Sequence, residues 1–241
     1  MSAARLIPRA ALAIVALAAL PASAAVTTFD NGTEGWSVSG RDTISPTGGN
    51  PGANMDVFLE DVFGASTRND SNPDFLGDYR RFGMPLQLSV DIKINSITFF
   101  GTEVERDLVV ELVDYNPPGS NYPYVSVYKH LGTLSAAQPG WRHFEALISD
   151  PNAAALPAGW GGTGDEDPIT FEPRLPPDRT FTSVLASVDE IRFTTFVPGF
   201  FYGFTNFLMQ VDNPTLAAVP EPTAVGLLAL AAPALLRRRR N

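Results

Sequence analysis

Few side chains in this sequence have a type and spacing that could do chemistry, and the most suggestive are tyrosines. Tyr115, Tyr122, Tyr124 and Tyr128 gather around the Pro-rich stretch NPPGSNYP at 116–123. A tyrosine ring joins an apolar face to a hydroxyl, the combination that stacks on a sugar ring and hydrogen-bonds its rim. Two readings stand open: a glycan-binding face, or rings packed beneath the loop. Asp165, Glu166 and Asp167 form an acidic triplet in the Gly-rich stretch LPAGWGGTGDEDP at 156–168. Its spacing is not that of an EF-hand loop, and an exposed, solvated loop is expected. Histidine occurs only at His130 and His143. No G-x-S-x-G, H-E-x-x-H or phosphate-cradling glycine loop occurs. Cysteine is absent, which removes thiol nucleophiles, iron–sulfur clusters and thiolate zinc sites. The paired carboxylates of a glycoside hydrolase are brought together in three dimensions and leave no spacing to read. On this inventory no catalytic residue is assigned and a non-enzymatic role is expected.

The elements that must position these residues are strands. Leu86, Leu88, Val90, Ile92 and Ile94 alternate with Gln87, Ser89, Asp91 and Lys93, a period of two that predicts a half-buried strand. Leu108 to Val113 reads as a buried strand, and 124–128 alternates again. In 141–148 either the Trp141 face or the Phe144 face could be the buried one. Further strands are predicted around Ile191 to Thr195 and Phe207 to Val211. Phe181 to Val188 reads as a short helix or turn before a strand. Phe200, Phe201, Phe204 and Phe207 crowd the approach to the last strand and are expected in the core. Asp30-Asn31-Gly32 and the stretches TGGNPG at 47–52, 116–123 and 156–168 carry the Gly, Pro and Asn of turns and loops. Many strands with closely spaced turn signals predict an all-β fold, an antiparallel sandwich or jelly roll. With about 190 residues between the two ends, one domain can bury enough surface to stand without disulfides.

Both ends read as addresses rather than fold. Residues 1–24 carry Arg5 and Arg9, an apolar run from Ala10 to Leu20, then Ala22-Ser23-Ala24. Basic, apolar and A-x-A segments in that order make a secretory signal peptide, with cleavage expected after Ala24. Residues 219–241 hold Pro220-Glu221-Pro222, the apolar run Thr223 to Leu236 and then Arg237, Arg238, Arg239 and Arg240. That run is shorter than the roughly 20 residues of a comfortable membrane span. It makes a marginal transmembrane helix, its arginines on the cytoplasmic side. A tail that is removed and a tail kept as an anchor both stand open. The two ends hold six of the 17 basic and one of the 26 acidic residues, leaving 25 acids against 11 bases between them, a net of −14. Such a body repels nucleic acid and anionic membrane. Its carboxylates suit a hard cation such as calcium.

Val219-Pro220-Glu221-Pro222, the short apolar run and the terminal arginines resemble the PEP-CTERM sorting signal of Gram-negative bacteria. The resemblance implies recognition at Pro220, Glu221 and Pro222 by an exosortase-type membrane protease. It also implies export to the cell surface or extracellular matrix, and an association with exopolysaccharide and biofilm. Within 25–218, FDNGTEGW at 29–36, GGNPG at 48–52, DFLGDYRRFGMPLQLSVDI at 74–92 and QVDNPTL at 210–216 resemble the laminin domain IV (laminin B) module. That family implies a galactose-binding-like β-sandwich used outside cells, with no catalytic residues to carry over. Sandwiches of this kind hold a structural calcium at places matching Asp30 and Asp212, with backbone carbonyls from a Gly-rich loop; the alternative is that both are turn residues. The combined expectation is a non-catalytic, structural or adhesive component of an exopolysaccharide matrix. A carbohydrate-binding module is the alternative, and a hydrolase stands further off.

Overall fold

The computed structural model of the protein describes residues 24–38, 40–115 and 123–219. The signal-peptide stretch up to residue 23, Tyr122, and the tail with Pro220, Glu221, Pro222 and Arg237 to Arg240 lie outside the described residues. Two antiparallel sheets form a sandwich around one hydrophobic cluster. The first sheet runs β10 (Trp141–Ile148), β6 (Leu86–Phe99), β15 (Thr205–Ala218), β4 (Gly52–Val62) and β3 (Arg41–Gly49), with β1 (Ala24–Val26) added to β15 and β7 (Thr102–Glu103) to β6. The second runs β11 (Trp160–Thr163), β9 (Val125–Leu134), β8 (Arg106–Asp114), β14 (Glu190–Thr194), β5 (Ser66–Asn69) and β2 (Trp36–Val38). A small hairpin, β12 (Asp165–Glu166) and β13 (Pro173–Arg174), stands apart.

The period-two pattern in β6 becomes burial: Leu86, Leu88, Val90 and Ile92 point into the core, while Gln87 and Lys93 face out. Pairing settles the neighbouring strand. Phe144 stands opposite Val90 and Ala146 opposite Leu88, so the Phe144 face of β10 is buried and Trp141, His143, Glu145 and Leu147 face outward. Before β14 the chain forms helix α1 (Phe181–Leu185), started by a capping box in which Thr180 and Ser183 satisfy each other's backbone amides. The FLGDY stretch serves the core through its two rings. Phe75 packs edge-on against Trp36 at 5.2 Å, and the buried Tyr79 hydroxyl donates to the Phe75 carbonyl at 2.6 Å.

Three expectations are corrected. The 156–168 stretch is not all loop: Trp160 to Thr163 form β11, paired with β9. Asp212 and Asn213 do not cap a turn but sit in a bulge inside β15, where the register against β6 shifts and Asn213 takes φ 50°. Of the late phenylalanines only Phe207 is core, at 1% exposure; Phe200, Phe201 and Phe204 are 60, 70 and 48% exposed. They lie on a loop at the pole where β15 begins. Both described chain ends lie at the other pole, since β1 pairs with the last residues of β15.

Candidate functional site: the outer face of the second sheet

Strand register gathers a row of side chains that no local spacing announces. Arg68 on β5 stands opposite Arg192 on β14, Arg192 opposite Glu111 on β8, Glu111 opposite Tyr128 on β9, and Tyr128 opposite Gly161 on β11. Their neighbours Ile191, Leu112 and Val127 point into the core, so this row faces outward. Even so, Glu111 and Glu190 are 2% and 1% exposed. Buried carboxylates demand partners. Arg192 supplies them, bonding Glu111 at 3.2 Å and ion-pairing with Glu190 through Nε. The Ser126 hydroxyl adds a 2.5 Å bond to Glu111, and Arg68 approaches Glu190 at 3.8 Å.

The charges of this network are mutually tuned. Burial pushes the Glu111 carboxyl above its ordinary value of 4.5, against the pull of Arg192 and Ser126. Burial alone would weaken the Arg192 cation, but Glu111 and Glu190 outweigh it and hold the guanidinium charged. Tyr115 closes the ring: its hydroxyl donates to Glu190 at 2.9 Å and accepts from Arg192 at 3.0 Å. Burial, then the Glu190 bond, push its hydroxyl up.

Three of the four tyrosines singled out from sequence meet here. Tyr124 lies beneath the Arg192 guanidinium at 5.0 Å and edge-on to Tyr115 at 5.9 Å. Tyr128 lies across the neighbouring strand. A methyl group placed on Gly161 would come within 2.4 Å of its ring, so the glycine is what lets the ring settle on the sheet. Tyr122 is outside the described residues. Beside Tyr124 opens a cleft of about 330 Å³, lined also by Thr163, Gly164, Pro173, Pro198 and Gly199. Asp165 and Glu166 line it too, and the acidic triplet is not simply solvated: Arg174 bridges Asp165 at 2.9 Å and Asp167 at 3.4 Å across the hairpin. Neither histidine joins the site. His130 is exposed midway along β9, opposite Val109, and His143 is on the other sheet beside Asp91.

Glu111, Glu190, Arg192, Arg68 and Gly161 were missed by sequence reasoning. A signal existed: Glu111 interrupts an otherwise apolar strand, and Glu190 and Arg192 alternate with Ile191 and Phe193. Charge at the outward positions of core strands is ordinary when exposed. Only burial makes it informative.

Asp30 and Asp212 come together elsewhere, on either side of the 49–53 turn. Asp30 accepts from the Ala53 amide at 3.3 Å and the Thr28 hydroxyl at 3.0 Å. Asp212, fully buried, accepts from the Asn50 amide at 2.5 Å and from Asn213 at 2.8 Å. Asp91 adds a third carboxylate, bonded to the Asn50 and Asn213 amide groups at 3.1 and 2.9 Å and to His143 at 2.7 Å. Burial, and the nearby carboxylates of Asp91 and Asp30, raise Asp212 above its ordinary value. The buried Asn54 Oδ1 nearby in sequence has no hydrogen-bond partner. These oxygen donors fit calcium in their chemistry. Among the described residues, however, no three His, Cys, Asp or Glu side chains converge to hold a metal ion, so an ion at Asp30 and Asp212 would complete its shell with carbonyl oxygens. Nor, among the described residues, is any helix long and apolar enough to cross a membrane.

No protein-family model and no curated protein matches the sequence. Solved structures are similar in outline. The CBM22-2 xylan-binding domain from Paenibacillus barcinonensis Xyn10C shares 11% identity over 80% of this chain and 98% of that one, with a TM-score of 0.44. A family 30 carbohydrate binding module shares 12% over 81% and 91%, TM-score 0.42. An exo-beta-agarase shares 14% over 81% of this chain but only 26% of its own, TM-score 0.48. At such identities and scores the likeness assigns neither family nor activity.

Proposed function

We propose that this chain is an exported, non-catalytic carbohydrate-binding protein that holds polysaccharide in the cleft beside Tyr124. One observation carries the reading: a buried ion network fixes Tyr115 and Tyr124, Tyr128 settles on Gly161 of the same sheet, and Tyr124 lines a cleft of about 330 Å³. Preorganised rings bind without first losing side-chain freedom. The two glutamates fit support better than catalysis. Both are committed to Arg192, which itself lies over Tyr124 and bonds Tyr115, whereas a general acid or nucleophile must reach the scissile bond. Within this reading Asp30 and Asp212 hold a structural calcium, which supplies a cross-link between the first turn and the last strand.

The test is a panel of polysaccharides embedded in native gels. Wild-type protein is expected to be retarded by at least one polymer without releasing products. Tyr124→Ala should weaken that retention about tenfold, equivalent to about 1.4 kcal/mol. Gly161→Ala, by lifting Tyr128, should weaken it several-fold. Product release would make the protein a hydrolase, and retention unchanged in both variants would move the site elsewhere.

The address completes the reading. Residues 219–241 act as a sorting signal read by an exosortase-type protease, delivering the body to the surface or matrix. Deleting them should leave the melting temperature of the body unchanged and alter where the protein accumulates. A large loss of stability would show instead that the apolar run packs on the sandwich.

A further inference from the structure

The two walls of the cleft change character just beyond it. Pro198 and Gly199 line the cleft, and Phe200 and Phe201 follow at once, 60 and 70% exposed. On the facing wall Pro173 lines the cleft, and the hairpin tip carries Ile169 and Phe171, 84 and 73% exposed. The walls touch, since a methyl group on Gly199 would lie 2.8 Å from the Pro173 ring. From Phe201 the apolar surface continues to Phe63 at 4.9 Å and on to Phe204, 4.3 Å from Phe63. Phe99 joins it by lying against Gly203, where a methyl group would come within 2.6 Å of the ring. Exposed rings that touch one another across several loops mark a binding surface rather than scattered surface hydrophobics.

Three occupants can be weighed. The protein's own apolar tail starts from the opposite pole: β15 runs its 14 residues from Thr205 beside this surface to Ala218, about 43 Å away. An anionic membrane is disfavoured by Asp61, Glu103, Glu105 and Asp107, which stand in the loops and strand ends of this pole. A polysaccharide held in the cleft, as proposed above, would lie directly beside it. The residue types then say what part of that ligand arrives. The cleft offers Tyr124 and the polar side chains of Thr163, Asp165 and Glu166, but the surface beyond offers phenylalanines, and the Tyr202 hydroxyl among them is committed to Asp107 at 3.0 Å. Phenyl rings give contact without hydrogen bonds, which suits hydrocarbon and leaves sugar hydroxyls unsatisfied.

We infer that this lip binds ester-linked acyl groups carried by the polysaccharide in the cleft, so that the protein recognises an acylated glycan. The inference rests on the carbohydrate-binding reading above. Its test uses the full chain and the polymer that retains it in the panel, chemically O-acetylated or O-butyrylated, against the same polymer after mild alkaline de-esterification. Wild-type protein should be retained at least threefold more strongly by the acylated forms. Phe200→Ser combined with Phe201→Ser should abolish that preference while keeping retention on the de-esterified polymer; both side chains are exposed enough for folding to survive. Tyr124→Ala should weaken retention on every form. Equal wild-type retention of acylated and de-esterified polymer would overturn the inference and leave carbohydrate binding standing. Retention by no polymer would overturn both. If sedimentation shows an oligomer that the double serine variant dissolves, a second copy covers this pole and the acyl assignment is wrong.

Discussion

Arg192→Leu should lower the melting temperature by roughly 10 °C at neutral pH. The guanidinium is the partner of two carboxylates that are almost wholly buried, Glu111 and Glu190. Deleting one member of a buried ionic group leaves uncompensated charge and costs about 3–5 kcal/mol. For a body this size each kcal/mol is worth about 2–4 °C. The pH dependence has a definite sign. Burial already raises Glu111 above 4.5, and Arg192 is the first of the groups pulling it down, so its loss raises that carboxyl further. A carboxyl with a raised folded value lends stability that is full below its unfolded value and lost as pH rises through the folded one. The penalty should therefore be larger at pH 7 than at pH 4. Restoring the balance with Glu111→Gln and Glu190→Gln in the Arg192→Leu background should recover much of the loss, since neutral amides cost less to bury. A melting curve within two degrees of wild type at pH 7 would show that the network does not hold this face together, and that Tyr115 and Tyr124 are fixed some other way.

That network also marks where sequence stops being informative. The strand β6 could be read directly because one of its faces carries polar side chains and the other packs in the core, which writes a period of two into the residues. The β10 strand has the same alternation, but Trp141 and Phe144 are both apolar enough for either face; the choice is made by pairing with β6. Gly161 and Gly162 read as loop because glycine punctuates turns. In the fold they are strand glycines, admitting the Tyr128 ring and Leu175 so closely that methyl groups would sit 2.4 and 2.5 Å from them. Phe200, Phe201 and Phe204 were expected in the core from residue type alone, which carries no information about the loop that presents them. The tyrosines were visible as a cluster because they are close in sequence. Arg192 and Glu111 are 81 positions apart, and nothing short of the register between β8 and β14 brings them together.

Calcium should raise the melting temperature by roughly 5–10 °C, and this response should vanish in Asp212→Asn. Asp212 comes from the last strand and Asp30 from the first turn, and both accept from backbone amides of the same 49–53 turn. An ion held there would tie the sandwich's first turn to its last strand in a sequence that has no cysteine to do so. Binding to the folded state alone adds about 2.7 kcal/mol at a hundredfold excess over Kd, which the same 2–4 °C per kcal/mol converts to that shift. The electrostatics set its pH dependence. Burial first, then Asp91 and Asp30, raise Asp212 above 3.8, so without a cation its contribution to stability is full at low pH and lost as pH rises through the raised value. A divalent cation binds the ionised carboxylates and reverses that trend, so the calcium response should be large at pH 7 and small at pH 4. The readout is the response rather than the absolute melting point, because Asp212→Asn also weakens the bond to the Asn50 amide. If metal-free protein melts at one temperature with and without calcium at pH 7, Asp30 and Asp212 serve only as acceptors that pin the turn.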